Sequence, residues 1–335
     1  MLWIKFLVFA AIVIFSGYKL CIYGDKIGEI IKLGRTFVGL ILLAVVTSLP
    51  ELAVSLSAAK IGAIDLALGD VFGSNLFNLT IIGLLLLLFV RKPQQFSFES
   101  THFISLGFSV VLVALAAVGI VFYRVVNPVV NYSRIWVDIE TILILGVYIL
   151  GAFLLFRLER KQAWQSVNTD TDQPKNKLKI WLQFVGFAVI LVSSAVYLAR
   201  LGNQIAALPV AGIALGGTFV GSLLMAIVTS LPEMAVAISA AKLGFWDMAL
   251  GNIFGSNMFN MLIIGIIDLS IGPKIVLSAA SPLLLFTVLF VLIASGLVAV
   301  SLVYRSRQKV SGLAWDSVSL LLLYFAANVT NFYLR

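Results

Sequence analysis

One stretch of the sequence decides the fold of this protein, because the chain contains it twice. Residues 34–83 read GRTFVGLILLAVVTSLPELAVSLSAAKIGAIDLALGDVFGSNLFNLTIIG, and residues 216–265 repeat them without a gap at a constant offset of 182. Thirty-three of the fifty aligned positions are identical. The polar motifs that recur are TSLPE at 47–51 and 229–233, and GSNxFN at 73–78 and 255–260.

The composition places these repeats in a membrane. Apolar residues make up 61% of the 335 residues and charged residues 11%, with a mean hydropathy of +1.10. In soluble domains apolar residues make up about 45–50% and charged residues about 25%. One cysteine and one histidine exclude a disulfide framework, a cysteine-rich metal site and zinc chemistry based on paired histidines. The net charge of +8 indicates basic residues at the cytoplasmic edge of a lipid bilayer, and no nucleic-acid partner is expected.

Ten segments are apolar and long enough to cross a bilayer, since a hydrocarbon core of about 30 Å needs about 20 helical residues. We therefore predict an all-α integral membrane protein of ten transmembrane helices, built as two inverted five-helix repeats with broken helices at the midplane. The first half covers residues 1–157, a cytoplasmic linker loop covers 158–178, and the second half covers 179–335. The predicted spans are 2–23, 36–59, 62–90, 103–123, 135–157, 178–199, 213–241, 243–270, 281–303 and 315–333.

The distribution of Lys and Arg predicts the orientation in a cell membrane or inner membrane. Seven of the 23 basic residues fall on the face that bears both termini, and sixteen fall on the opposite face. Cytoplasmic loops are enriched in Lys and Arg, so we expect both termini outside and residues 158–178 in the cytoplasm. The two copies of the repeat are five spans apart and therefore enter the membrane from opposite faces. Inverted repeats of this kind are typical of secondary transporters.

The TSLPE motif carries a proline inside an apolar span. Pro50 has no N–H, so the carbonyl of Val46 loses its helical partner, and the carbonyl of Thr47 should be loosened as well. An unpaired carbonyl in lipid must face protein or a hydrated cavity. Thr47 and Glu51 are four residues apart and share one face of the helix. The second copy repeats this pattern at Val228, Thr229, Pro232 and Glu233.

Glu51 and Glu233 are the acids that lie deep in the spans, and a carboxylate at mid-membrane indicates a functional site. No Lys or Arg lies inside these spans to neutralise them, which leaves protons or bound cations. Carboxylate, carbonyl and hydroxyl oxygens select hard cations, and a site that removes water favours Ca²⁺ over Mg²⁺. Both copies also place a hydroxyl and an amide four residues apart on one face of the next span. These residues are Ser74 with Asn78, and Ser256 with Asn260.

The remaining residues of the second motif have packing roles in this interpretation. Gly73 and Gly255 are expected to let helices pack closely. Asn75 and Asn257 lie off the ligand face and are expected to bond to neighbouring backbone.

At these residues the sequence resembles the calcium/cation antiporter superfamily, in particular prokaryotic-type sodium/calcium exchanger-like membrane proteins with two alpha-repeats. The resemblance covers essentially the whole membrane region. It implies that Glu51 and Glu233 coordinate Ca²⁺ together with the backbone oxygens of Thr47 and Thr229. It also implies competitive binding of Na⁺, and sliding of the first and sixth spans to switch access. The implied Na⁺ ligands are the carbonyls of Ala44 and Ala226, the hydroxyls of Ser48, Ser74, Ser230 and Ser256, and the amides of Asn78 and Asn260.

The sequence departs from this family pattern at two places. Such exchangers often carry Asp at the last position of one GSN-type motif, whereas both positions here are amides, so the Na⁺ stoichiometry and the coupling ion stay open. Proton-coupled relatives commonly have Gly-Asn-Ala-x-Glu motifs, which this chain lacks. The second departure is Asp70, which is replaced by Asn252 in the other copy. Asp70 is either an auxiliary carboxylate in the ion pathway or a hydrated residue near a helix end.

The remaining polar residues are assigned minor roles. Asp65 and Asp247 occupy matched positions where they are expected to cap helices. Cys21 and His102 are expected to be incidental. Four acids near span ends are expected to be within reach of water: Asp138, Glu140, Asp268 and Asp316.

The predicted function is secondary active antiport of Ca²⁺ against Na⁺ by alternating access, with one chain sufficient for transport. No enzymatic activity and no cofactor are expected, since Ca²⁺ and Na⁺ or H⁺ bind as transported substrates. An H⁺-coupled Ca²⁺ or divalent-cation antiporter is the alternative. A cation channel is a third hypothesis, although channels usually place acids in rings around an oligomeric axis. An intramembrane hydrolase and an ATP-driven pump are disfavoured, because no catalytic constellation and no phosphate-binding GxxxxGK[ST] motif is present.

Overall fold

The computed structural model describes residues 1–89, 100–123, 139–166, 176–206, 208–210, 213–214, 227–271, 276–304, 309–310 and 313–333. Two pairs of two-residue strands are antiparallel, Pro209–Val210 with Ile213–Ala214 and Lys309–Val310 with Leu313–Ala314. The remaining elements are helices. They are α1 Leu2–Ile31, α2 Arg35–Lys60, α3 Ile64–Phe89, α4 Ser100–Val121, α5 Ile139–Ser166, α6 Lys177–Ala206, α7 Leu231–Lys242, α8 Trp246–Ser270, α9 Val276–Ala279, α10 Leu284–Tyr304 and α11 Trp315–Tyr333.

Eight of the described helices are long and apolar enough to cross a membrane, namely α1 to α6, α8 and α10. The chain is therefore a helical integral membrane protein, as its composition indicates. The last predicted span coincides with α11, which has 19 residues. The seventh is described only in part, as a helical turn at 227–229 followed by the 12-residue α7. The arrangement of ten helices as inverted repeats remains a prediction.

The structure corrects the predicted start of the seventh span. Residues 213–214, where a helix was expected to begin, instead form a strand paired with Pro209–Val210. Pro209 has no N–H for helical bonding and fixed backbone geometry, which favours an extended start. The apolar composition of this stretch could not distinguish the two conformations.

Helices also continue beyond the apolar segments. The predicted linker 158–178 begins inside α5, which runs on to Ser166, and it ends inside α6, which begins at Lys177. Similarly, α1 extends eight residues beyond its predicted end and reaches Ile31. Leu, Glu, Arg, Lys, Gln and Ala form helices well in water. Hydropathy therefore marks the membrane edge rather than the helix end.

The two copies of the repeat share one turn geometry. Gly62 follows α2 with φ +83° and Gly244 follows α7 with φ +77°. In the first copy the N–H of Ala63 donates to Ala58 at 3.0 Å, and in the second the N–H of Phe245 donates to Ala240 at 2.8 Å. These bonds are the six-to-one contacts of a helix C-terminus that ends in a left-handed glycine. Each copy is thus a helix, a tight turn and a second helix.

Helix α8 lies at the centre of the molecule and is buried on all sides from Met248 to Met261. It packs against α2, α3, α4, α5 and α7. Glycines allow its close approach to α2, because a Cβ at Gly255 would collide with the Leu40 carbonyl oxygen and one at Gly39 with the Met248 carbonyl oxygen. Helices α1 and α6 pack extensively against each other at the outside of this core.

Candidate ion-binding site

The two TSLPE motifs and the two GSNxFN motifs meet around α8. The first TSLPE motif lies on α2 and packs against α8, and the second lies at the start of α7, which packs against α3. Nearly every predicted site side chain is buried, and the carboxylates of Glu51 and Glu233 are each only 1% exposed. The described part of the predicted site is therefore closed off from bulk water.

The backbone at the two prolines is not the same, contrary to the prediction of two broken helices. Pro50 lies inside α2, whose helical conformation continues through it to Lys60. In the second copy Ser230 adopts φ −92° and ψ 13°, and α7 begins after it with Pro232 in its first turn. A proline inside a helix removes one hydrogen bond, and neighbouring groups can satisfy the freed carbonyl in a packed membrane protein. The predicted break is therefore wrong at Pro50.

A short π-helical segment precedes the first motif. Residues Val38–Leu43 have π-helical geometry, and the N–H of Ala44 bonds to the carbonyls of both Gly39 and Ile41. Such segments occur frequently at functional sites, because they shift the register of the residues that follow. The segment brings Gly39 and Leu40 against α8, directly before the polar residues of the motif.

Hydroxyl groups of one copy contact polar groups of the other. Thr47 Oγ1 lies 3.2 Å from Ser256 Oγ, and Ser230 Oγ lies 3.3 Å from Ser74 Oγ. The hydroxyl of Ser48 donates to Glu233 Oε1 at 3.0 Å. Glu233 is thereby held against α2, one turn from Glu51. The structure therefore brings the predicted residues of both copies into one cluster.

The asparagines of the two GSNxFN motifs pair reciprocally. The Nδ2 of Asn75 donates to the Asn257 carbonyl at 3.4 Å, and the Nδ2 of Asn257 donates to the Asn75 carbonyl at 3.3 Å. Asn78 Nδ2 donates to Asn257 Oδ1 at 3.0 Å, and Asn260 Nδ2 donates to Asn75 Oδ1 at 2.9 Å. The expectation that Asn75 and Asn257 bond to neighbouring backbone is confirmed. Their bonds to the side-chain amides of Asn78 and Asn260, hereafter the outer amides, had not been anticipated.

Five buried oxygens in this cluster have no hydrogen-bond partner among the described residues. Buried polar groups are normally hydrogen-bonded, so a cluster of orphaned acceptors requires an explanation. None of the buried polar side chains that the structure describes belongs to Lys or Arg. A bound cation or a proton would satisfy these acceptors. They are both carboxylate oxygens of Glu51, Glu233 Oε2, Asn78 Oδ1 and Asn260 Oδ1.

The residues whose backbone carbonyls are predicted to bind ions lie in different surroundings. Ala44 is buried, and its carbonyl lies 3.3 Å from Thr47 Oγ1, so the Thr47 hydroxyl can donate to it. The same hydroxyl lies 3.4 Å from Asn252 Oδ1. Thr229 is 9% exposed and belongs to the last helical turn before Ser230. Ala226 lies outside the described residues.

Asp70 is half-buried on α3, and its Oδ2 accepts a hydrogen bond from the Ser55 hydroxyl at 2.9 Å. Its counterpart Asn252 is fully buried beside Thr47, and the counterpart of Ser55 is Ala237. The hydroxyl–carboxylate pair therefore exists in the first copy alone. It lies one turn of α3 before Ser74.

Other acids have partners that the sequence did not reveal. Asp247 does not cap α8, and its Oδ1 lies 3.0 Å from Nε2 of the fully buried His102 on α4. Asp65 accepts the N–H of Ser281 instead of capping its own helix. His102 is therefore a packing partner and not incidental. Hydropathy and spacing carry no signal for such contacts between distant helices.

The acids near span ends are not open to water where the structure describes them. Asp268 accepts hydrogen bonds from the Thr141 hydroxyl at 2.8 Å and the Val276 N–H at 3.0 Å. Two further acids accept from hydroxyls, Glu140 from Tyr123 at 2.7 Å and Asp316 from Ser301 at 2.6 Å. All three carboxylates are buried. The expectation of hydration was wrong because neighbouring helices supply hydroxyl donors, and Asp138 lies outside the described residues.

A model of the sodium/calcium exchanger protein family matches residues 1–163 and 179–333, so the chain belongs to that family of ion exchangers and is not an enzyme. The chain is 27% identical over 259 residues to the inner membrane protein YrbG of Escherichia coli, covering 76% of this chain and 74% of YrbG.

Two further comparisons agree with this assignment. Over 117 residues the chain is 38% identical to the sodium/calcium exchanger MaX1 of Methanosarcina acetivorans, covering 35% of this chain and 31% of MaX1. The fold is similar to that of the sodium-calcium exchanger NCX_Mj, soaked with Na⁺ and Sr²⁺, with a TM-score of 0.71 and 19% identity. That match covers 97% of this chain and 96% of NCX_Mj. Membership of this family supports cation antiport that includes Ca²⁺.

Proposed function

We propose that this protein is a secondary active antiporter that exchanges Ca²⁺ for Na⁺ across a cell membrane by alternating access. The observation that carries the proposal is the cluster of five unpartnered oxygens, in which the carboxylates of Glu51 and Glu233 have no buried basic partner among the described residues. One Ca²⁺ would balance both negative charges. Leaving an unpaired carboxylate buried is costly, so a bound cation would stabilise the cluster.

The nature of the oxygens favours Ca²⁺ among divalent ions. Carboxylate, amide and hydroxyl oxygens are the ligands of hard cations. Ca²⁺ accepts six to eight such oxygens in irregular geometry, whereas Mg²⁺ retains water and requires an octahedron. A buried cluster that mixes carboxylates and amides from two helix pairs suits the larger ion. The proposed ligands are those named from the sequence, centred on Glu51 and Glu233.

Competition with Na⁺ follows from the same oxygens. The proposed Na⁺ positions use the hydroxyls of Ser48, Ser74, Ser230 and Ser256, the carbonyls of Ala44 and Ala226, and the two outer amides. Ser48 contacts Glu233 of the other copy, and Ser74 contacts Ser230 of the other copy. An ion bound to the ligands of one copy would therefore displace ligands of the other. Na⁺ and Ca²⁺ therefore compete for shared ligands rather than occupy independent sites.

For the architecture we propose ten spans in two inverted halves, with both termini outside and residues 158–178 in the cytoplasm. Matched glycine turns and reciprocal asparagine bonds support a local twofold relation between the copies. The α1–α6 pair is a natural moving element, because these two helices pack mainly on each other. Sliding of this pair across the core would open the closed cluster first to one side and then to the other. One chain suffices for this mechanism.

Proton coupling is the second candidate, and one observation favours it. Both oxygens of Glu51 lack a hydrogen-bond partner in the part of the chain that the structure describes, and a proton would neutralise this carboxylate as well as a cation does. In that case protonation of Glu51 and Glu233 would alternate with Ca²⁺ binding. Asp70, which lies one turn of α3 before Ser74 and accepts the Ser55 hydroxyl at 2.9 Å, would then serve as an auxiliary carboxylate.

Flux through proteoliposomes distinguishes these proposals. Purified protein in sealed vesicles should take up Ca²⁺ when Na⁺ is high inside and low outside, and uptake should persist when any pH difference is collapsed. Uptake that requires a pH difference and ignores the Na⁺ gradient would overturn Na⁺ coupling. Single-channel currents would overturn antiport in favour of a channel.

A further inference from the structure

The four asparagines at the crossing of α3 and α8 form a network whose orientation is fixed by the backbone. A peptide carbonyl oxygen can only accept a hydrogen bond. The carbonyls of Asn75 and Asn257 each lie within 3.4 Å of the other residue's side-chain amide. Each of these amides must therefore point its NH₂ group at the partner helix and its Oδ1 away from that carbonyl.

This orientation determines the orientation of the next pair. Asn75 Oδ1 lies 2.9 Å from the nitrogen of Asn260, and Asn257 Oδ1 lies 3.0 Å from the nitrogen of Asn78. An Oδ1 acceptor needs a donor, so Asn260 and Asn78 must present their NH₂ groups to it. Their own Oδ1 atoms then point elsewhere, and these are two of the five unpartnered oxygens.

We propose that Asn75 and Asn257 are positioning residues that hold the outer amides with their oxygens facing the transported cation. The proposal rests on the proposed function, because it assumes that Asn78 Oδ1 and Asn260 Oδ1 contact the ion. Without the side chains of Asn75 and Asn257, each outer amide would be free to rotate and present its NH₂ group to the cation. An NH₂ group has no lone pair to offer and repels a cation, so a flipped amide is worse than a missing one.

The pairing crosses between the two copies. Asn75 of the first copy orients Asn260 of the second, and Asn257 of the second copy orients Asn78 of the first. All four side chains are completely buried, so water cannot easily replace a lost bond. The orientation of Asn78 therefore depends on α8, which carries Asn257, and the orientation of Asn260 depends on α3, which carries Asn75.

Double-mutant cycles test this crossed pairing. The set comprises Asn75→Leu, Asn260→Ala, Asn78→Ala and the doubles that combine Asn75→Leu with each alanine. Ca²⁺ affinity is measured on purified protein from the Ca²⁺ dependence of the melting temperature, since a ligand that binds the folded state raises it. The half-saturation constant for Ca²⁺ flux gives a second value.

We expect Asn75→Leu to weaken Ca²⁺ binding about 10–100-fold, as for other residues that orient a metal ligand. Adding Asn75→Leu to Asn260→Ala should cost little more, because the amide it orients is already gone. Adding it to Asn78→Ala should multiply the two effects. Equal coupling in both doubles, or unchanged affinity in Asn75→Leu, would overturn the proposal.

Two further variants guard against a trivial loss of structure. Thr80→Val removes a buried hydroxyl of α3 that donates to the Leu76 carbonyl at 2.9 Å, and it should leave Ca²⁺ affinity unchanged. If Asn75→Leu does not purify as a folded protein, Asn75→Ser takes its place in the same cycles. A wild-type protein that shows no Ca²⁺ response refutes the proposed function itself. If the wild-type protein responds to Ca²⁺ but Asn75→Leu couples no more strongly to Asn260→Ala than to Asn78→Ala, only the role of the asparagines is refuted.

Discussion

The two copies of the repeat share most of their residues but differ in backbone and in hydrogen bonding. In the first copy α2 runs through Pro50 without a break, whereas in the second copy the chain turns at Ser230 and α7 starts beside Pro232. Glu233 accepts the hydroxyl of Ser48, whereas neither oxygen of Glu51 has a partner among the described residues. Identical motifs therefore occupy two different states in one molecule.

A difference of this kind would fit the alternating-access mechanism that we propose for two related halves. If the halves exchange conformations when access switches, they must differ at any one time. Under that mechanism, the Ser48–Glu233 bond and the Glu51 oxygens that have no partner among the described residues would mark the two states. In this proposal the nearly identical motifs would provide equivalent ligands, and the unequal backbone would determine the side of the membrane to which the site opens.

The largest effect is expected at the two glutamates. Glu51→Gln and Glu233→Gln each remove one of the two charges that balance Ca²⁺, and either change should reduce exchange to the background of empty vesicles. Glutamine is similar in size, so both proteins should still fold. The measurement is Na⁺-driven Ca²⁺ uptake in proteoliposomes, with Thr80→Val as the control. Robust uptake by both glutamine variants would contradict the shared site.

The second effect concerns helix packing, and it compares the stability lost when the matched glycine of each copy is replaced by alanine. A Cβ at Gly255 would collide with the Leu40 carbonyl, whereas the described residues leave a Cβ at Gly73 with no neighbour within 4 Å. Gly255→Ala should therefore destabilise the protein by about 1–3 kcal/mol, which is typical of overpacking. Gly73→Ala should cost less. Thermal unfolding in detergent measures both, and equal losses would show that the copies pack alike.

A smaller effect is expected at Asp70, the one acidic residue of the first copy that the second copy does not share. Asp70→Asn makes the first copy resemble the second, and removing this carboxylate should raise the half-saturation constant for Ca²⁺ about two- to fivefold, as for a partly hydrated charge. The maximal rate should stay close to that of the wild type. An unchanged constant at low ionic strength would place Asp70 outside the ion pathway, and complete loss of flux would make it a ligand.

Sequence patterns predicted the repeat, the membrane environment and the residues of the cluster, because spacing along a helix and the absence of basic residues are written in the chain. The different states of Pro50 and Pro232 could not be predicted, since the two motifs are identical from Thr47 to Glu51. Backbone geometry there depends on tertiary contacts such as those of Gly39 and Leu40 with α8.

Contacts between distant helices were also beyond prediction. The pairing of His102 with Asp247 and the orientation of the asparagine network depend on which helix faces meet. The ends of α1 and α5 were placed too early, because hydropathy reports the membrane and helix propensity continues into water.

Calorimetric titration with Ca²⁺ tests the central claim that both copies build one site. Wild-type protein should bind one Ca²⁺ per chain at the central cluster in competition with Na⁺, and either Glu51→Gln or Glu233→Gln alone should abolish that binding. Two Ca²⁺ ions per chain, each lost in only one of the two variants, would mean that each copy holds its own site and would contradict the account.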